Sequence, residues 1–136
     1  MTNSCQQLVL VQVPGTFAVC RLSTDEPIPK WVLKLSGFFS ITRSADELSV
    51  LCPEVHVPGN VKYEGEFSCL KVQGPLDFSM FGVMAALVVP LADAEISIFA
   101  VSTFDTDYLL VKQRDLKSAV QVLQSVGHKI TGSTSS

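Results

Sequence analysis

The sequence predicts an α+β fold of two tandem βαββαβ units packed together, with antiparallel sheets and helices on one face. Three observations predict it. A strand–turn–strand pattern occurs twice, over Phe39–Leu51 and Phe99–Val111, at an offset of 60 residues. In each copy apolar and polar residues alternate, the period of a half-buried strand. An upstream strand recurs as well, Phe17–Leu22 matching Phe67–Val72 at an offset of 50. Finally, Phe81, Met84, Leu87, Val88 and Leu91 repeat at helical spacing, and so do Leu116, Ala119, Val120, Leu123 and Val126. Strands and helices in this order make an antiparallel sheet with both helices on one face, the ferredoxin-like arrangement.

The elements follow in order. The N-terminal unit is expected over residues 1–63 and the C-terminal unit over residues 64–136. In the first, Pro27–Lys34 allows at most two helical turns after the opening strand, because two prolines remove backbone donors. Its second helix shrinks to the Pro- and Gly-containing loop Pro53–Asn60. The strand-rich segment Val61–Gln73 joins the units without a linker. In the second unit a longer helix follows, with Asp77 placed to cap its N-terminus and Pro90 disturbing its last turn. After the hairpin a further helix starts near Arg114 and stops at Gly127, a C′ glycine. A short strand, His128–Thr131, precedes a polar tail. Phe17, Phe39, Phe67, Phe81, Leu87, Phe99, Val101, Leu116 and Leu123 are the expected core.

Composition excludes several functions. The 136 residues are 47% hydrophobic and 17% charged, which is incompatible with intrinsic disorder. The net charge is −3 and no basic run occurs, so neither nucleic acid nor an anionic membrane surface is an expected partner. The charge-free stretch Phe78–Ala92 is 15 residues long and holds Pro90, too short for a membrane span. The first residues lack the positive region of a secretion signal. Cys5, Cys20, Cys52 and Cys69 are scattered, with no C-x-x-C, and read as reduced, mostly buried thiols of a cytoplasmic protein.

No catalytic apparatus is visible. His56 and His128 are the only histidines, which leaves few options for a nucleophile–base pair. His128 follows the helix-stopping Gly127, where a cation would favour the dipole, and reads as structural. Cys52 and His56 have ligand spacing, but Pro53 prevents a helix there and no second pair completes a metal site. Glycine-rich phosphate loops are absent, so no nucleotide cofactor is expected. Asp46, Glu47 and Asp105 suit hairpin turns on chemistry alone. What remains is binding. The loop Val72–Phe78 leads into a helix start, whose free N–H groups and positive dipole end suit a carboxylate. The segment Ser102–Asp107 offers hydroxyls and a carboxylate for an ammonium group. Together they suit an amino-acid zwitterion, with Phe78 and Phe104 walling its aliphatic part.

At these residues the sequence resembles a known family. Gly74–Phe78, Gly82–Leu87, Pro90–Ile98 and Ser102–Val111 resemble an ACT domain. With Phe38–Arg43 and Glu47–Glu54 upstream, the chain is similar to tandem-ACT proteins related to CASTOR-type amino-acid sensors and aspartate kinase regulatory domains. The resemblance implies a non-catalytic, allosteric module that binds a small amino acid at an ACT unit interface. It also implies a homodimer and a regulated enzyme or signalling partner. Carried over by position, the binding residues are Asp77, Phe78, Met80, Gly82 and Val83 at the helix start, and Thr103, Phe104 and Asp107 in the hairpin. Two departures stand out. Met80 occupies a position near which arginine-sensing relatives are acidic, and a thioether cannot pair with a guanidinium. Ala94-Glu95 replaces the family's glycine, where a left-handed turn costs a Cβ-bearing residue roughly 1 kcal/mol or more. The alternative reading is a ligand-free ACT-like module for dimerisation or protein interaction.

Overall fold

A computed structural model describes residues 7–73 and 82–132. The chain divides into two compact units, residues 15–67 and residues 1–14 with 68–136. It has the tandem ferredoxin-like α+β fold. Each unit takes part of two long strands, β1 (Val9–Leu22) and β4 (Lys62–Val72). The sequence division between residues 63 and 64 falls inside β4.

The unit of residues 15–67 is built around β3 (Leu48–Pro53), which lies antiparallel to both β1 and β2 (Ser40–Arg43). Its helix α1 (Lys30–Leu33) is a single turn, entered from Pro29, and buries Val32. A 3₁₀ turn, Glu54–His56, stands where the sequence shows only a loop. Cys20, Val32, Val50 and Cys52 are buried together, with Trp31, Leu35 and Ile41 packed against them. Phe17 is buried and stacks edge-on against Phe38 at 6.0 Å. Phe39, expected in the core, is instead 38% exposed. It precedes the first paired residue of β2, and its neighbour Phe38 takes the inward direction.

In the other unit the order is β4, α2 (Val83–Asp93), β5 (Ile98–Ser102), β6 (Asp107–Lys112), α3 (Leu116–Ser125) and β7 (Lys129–Thr131). This is the strand–helix–strand–strand–helix–strand order that the periodicity predicts. β6 lies between β4 and β5, while β7 pairs with the first residues of β1, Val9 opposite Lys129. That last pairing is parallel, a departure from a purely antiparallel sheet. The apolar core holds Leu8, Leu10, Leu70, Val72, Leu87, Leu91, Leu109, Val111 and Leu123.

The helix stripes are displaced from the expected ones. α2 starts at Val83, and its buried residues are Val83, Leu87 and Leu91. Its N-cap is Gly82 at φ +84°, a left-handed conformation that suits glycine. The expected cap Asp77 and the expected core residue Phe81 lie outside the described residues. On α3, Ala119 and Leu123 are buried, but Val126 is 45% exposed because the helix has already ended at its cap. Phe67, Phe99, Val101 and Leu116 are half-buried.

The two hairpins close alike. Ser44 N–H donates to the Glu47 carbonyl at 2.9 Å, and Thr103 N–H to the Thr106 carbonyl at 2.8 Å. These closing pairs are 59 residues apart, one fewer than the sequence offset of 60. The turns therefore correspond as Ser44-Ala-Asp-Glu47 and Thr103-Phe-Asp-Thr106, which puts Asp46 opposite Asp105.

Both long helices end in the same hydrogen-bond pattern. Ile96 N–H donates to the Leu91 carbonyl and Glu95 N–H to that of Ala92; His128 and Gly127 bond to Leu123 and Gln124 in the same way. This is the Schellman motif, whose C′ residue is left-handed. Gly127 takes φ +101°, and Glu95 takes φ +62°. The absence of a glycine at Ala94-Glu95 therefore does not change the turn, which keeps the left-handed conformation on a residue with a Cβ. Relief of that strain outweighs the added chain entropy, so Glu95→Gly is expected to stabilise the protein by about 0.5–1 kcal/mol. Gly127→Ala is expected to destabilise it by about 1 kcal/mol, and urea denaturation of the two variants checks both signs.

Candidate functional site: the start of α2 and the β5–β6 hairpin

Five of the eight proposed binding residues are described: Gly82, Val83, Thr103, Phe104 and Asp107. Asp77, Phe78 and Met80 lie outside the described residues. All five belong to one compact unit, and its topology relates them. β4 leads towards α2, β5 leads into the hairpin, and β6 lies between β4 and β5. In a ferredoxin-like sheet the two outer strands of such a trio run the same way. The end of β4, from which the chain goes on to α2, and the hairpin turn therefore occupy the same end of the sheet.

The chemistry at each is specific. The first bond inside α2 runs from Ala86 N–H to the Gly82 carbonyl at 2.9 Å. The N–H groups of Val83, Met84 and Ala85 thus lack partners within the helix, as first-turn donors do. Gly82 itself is exposed and leaves its Cβ position open, with nothing within 4 Å. The Val83 side chain is buried, so only its backbone can face a ligand. In the hairpin, the Thr103 hydroxyl donates to the Thr106 carbonyl at 3.1 Å and keeps only its acceptor pairs for another group. Asp107 is half-buried and opens β6 opposite Ser102. Phe104 is 76% exposed at the turn, not packed as a wall of an enclosed cavity.

Two grooves lie elsewhere on this unit. One of about 480 Å³ is apolar, lined by residues such as Ala85, Val89, Pro90 and Val126. The other, about 520 Å³, runs past Glu95, Ile96, Asp115 and Ser118. Neither is lined by any of the five site residues.

His128 proves more connected than its sequence position suggests. Its Nδ1 accepts the Leu8 N–H at 3.1 Å, and its Nε2 lies 3.0 Å from the Ala86 carbonyl. With Nδ1 accepting, Nε2 carries the ring proton and donates it to the Ala86 carbonyl, a structural role as the sequence position suggests. The sequence holds the reason. Pro90 stands four residues after Ala86, inside α2, and has no N–H to give that carbonyl. His128 supplies the donor that the helix lacks. A proline within a helical stripe is the signal that would have found it.

Cys20, Cys52 and Cys69 are free thiols and buried, as expected; Cys5 lies outside the described residues. Burial pushes the Cys69 thiol up from its ordinary 9.0 to about 12. The Tyr108 hydroxyl is also raised, by burial and by the neighbouring Cys69. Cys20 and Cys52 share a thiol–thiol hydrogen bond, which together with burial holds Cys20 protonated. His56 is exposed whereas Cys52 is buried, so the two do not face a common site. Among the described residues no group of three His, Cys, Asp or Glu is placed to hold a metal ion. No described helix is long and apolar enough to cross a membrane.

Residues 62–125 match the sequence profile of the ACT domain, and residues 15–60 that of an N-terminal domain family. A crystal structure of a protein from Agobacterium tumefaciens is 37% identical, at TM-score 0.90 over 96% of this chain and 97% of that chain. The ligand-free regulatory subunit of aspartate kinase from Thermus thermophilus shares the fold at TM-score 0.63 and 8% identity, over 86% of this chain and 95% of that one. Fifty residues are 42% identical to the Homo sapiens cytosolic arginine sensor for mTORC1 subunit 1, which is 37% of this chain. The chain spans 15% of the length of that relative. The ACT profile, the aspartate kinase fold and the sensor homology agree: the chain belongs to the ACT-domain family.

Proposed function

We propose that this protein is a non-catalytic regulatory module that binds a free amino acid where α2 starts beside the β5–β6 hairpin. The observation that carries the reading is the ACT match over residues 62–125, which includes both segments. First-turn N–H donors beyond Gly82 would take the α-carboxylate. Asp107 would take the ammonium group, a charge-assisted bond worth about 1.5–3 kcal/mol when desolvated. Phe104 would cover the ligand's aliphatic part, and two copies would assemble as a homodimer. The regulatory relatives, one a sensor of arginine by its name, support an amino acid as the ligand class. The exposure of Phe104 favours a second reading, in which the ACT architecture serves protein interaction without a ligand.

A thermal-shift screen against the twenty amino acids separates the two. A ligand at a hundredfold excess over Kd is expected to stabilise the wild type by about 2.7 kcal/mol. Asp107→Asn should fold normally and lose most of that gain. If no amino acid raises the melting temperature at tens of millimolar, the ligand-free reading replaces the sensor.

A further inference from the structure

The outer face of α2 is apolar where a surface helix is ordinarily polar. Asp93 is the one polar side chain among its 11 residues. Val83, Leu87 and Leu91 are buried, which leaves Ala85, Val89 and Ala92 exposed on the other side. A helix that is apolar all round ordinarily has neighbours all round. α3 follows the usual pattern, with Lys117, Gln121 and Gln124 exposed. Ala85, Val89 and Asp93 stand at four-residue spacing on one face of α2. Together with Val126 at the end of α3 they line the apolar groove of about 480 Å³. From Ala85 to Asp93 the helix runs about 12 Å, or two turns.

Charge here has a single sign. Asp93 ends the helix, where the dipole is negative as well, and the last turn holds no basic residue. From Val72 to Val111 the sequence carries Asp77, Asp93, Glu95, Asp105 and Asp107 but no Lys, Arg or His. The backbone narrows the choice of occupant further. Groups within α2 bond along the helix, and His128 takes the Ala86 carbonyl that Pro90 leaves. The groove thus offers no main chain to an added strand, and its occupant must satisfy its own backbone, as a helix does. Two copies of this face would set carboxylate against carboxylate, and an anionic membrane is repelled in the same way.

We propose that this groove docks a basic amphipathic helix of a partner protein. An apolar side chain of that helix enters between Val89 and Val126, and a Lys or Arg meets Asp93. Ala85 has too short a side chain to hold the two helix axes apart, so they can approach to the usual 8–10 Å. The surface runs along α2 towards its C-terminal end, away from the helix start where the amino acid is proposed to bind. It needs no ligand there, so the two proposals stand or fall separately.

Fluorescence anisotropy of two labelled peptides with the full chain tests it. Each peptide has roughly 15–20 residues, long enough to form a helix. One carries leucine on one face and lysine on the other; the second has glutamate in place of lysine. The leucine–lysine peptide is expected to bind saturably with a Kd on the order of 10 μM, and the leucine–glutamate peptide roughly tenfold more weakly. Asp93→Lys should reverse that preference, and Val89→Gln should weaken the leucine–lysine peptide roughly tenfold. Both positions are exposed, and a lysine suits a helix C-terminus, so both variants should fold. Asp46→Lys makes the same change of charge in the hairpin of the other unit and should leave binding as it is. An equal loss in Asp46→Lys and Asp93→Lys would reduce the effect to net charge and overturn the proposal. Equal affinity of the wild type for both peptides, or no saturable binding at about 100 μM, would overturn it too. A wild-type mass by light scattering that falls on Val89→Gln would assign the groove to a second copy instead.

Discussion

Replacing His128 with phenylalanine is expected to lower stability by about 2–4 kcal/mol without changing the fold. The phenyl ring is somewhat larger than the imidazole it replaces, so no cavity opens. What is lost are the partners of two backbone groups, the Leu8 N–H and the Ala86 carbonyl. Each buried group left unpaired costs about 1–3 kcal/mol. For a domain of this size the melting temperature should fall by roughly 10 °C. Pro90 gives the sharper form of the test. Pro90→Ala restores an N–H within reach of the Ala86 carbonyl, so His128→Phe should cost about 1 kcal/mol less in that background. A double-mutant cycle measured by denaturant titration reads this coupling directly. Additive effects would show that the histidine does not compensate for the proline.

Leu87→Ala should produce a loss of similar or greater size, about 2–5 kcal/mol. Leu87 is fully buried at the centre of the inward face of α2, between Val83 and Leu91. Truncation removes apolar contacts and leaves a cavity that the surrounding side chains only partly refill. Val89, two residues on, is 54% exposed, and Val89→Ala should change stability by less than about 0.5 kcal/mol. The contrast checks the helix face: the sequence stripe from Phe81 and the observed one from Val83 differ in how the helix is entered. Comparable losses at residues 87 and 89 would contradict the observed face.

Local pattern made much of this fold legible. Alternating residues marked both hairpins, and Gly127 marked the end of α3 because only a residue tolerant of positive φ suits a Schellman turn. The features that escaped are long-range ones. Nothing in Val9–Val11 announces a parallel partner at Lys129–Thr131, more than a hundred residues away. The one-residue difference between hairpin offsets is invisible to a period-2 pattern whose copies differ in residue identity, yet it decides which side chains correspond. Phe38 and Phe39 are alike in hydrophobicity, and only the ladder that starts at Ser40 distinguishes the inward ring. In the candidate site, the turn chemistry of Thr103–Asp107 was readable from its hydroxyls and carboxylates. The start of α2 was not, because a left-handed glycine entering a helix leaves no side-chain cap to recognise.

The proposed binding of a free amino acid at this end of the C-terminal unit is open to direct test. Amide chemical shifts of the wild-type protein, followed during titration with the amino acid that most raises its melting temperature, test it most directly. Saturable shifts are expected at Val83, Met84 and Ala85 and across Thr103 to Asp107, with little change along β2 and β3. Saturable shifts centred instead on the Val89–Val126 groove or on residues 15–67 would contradict it.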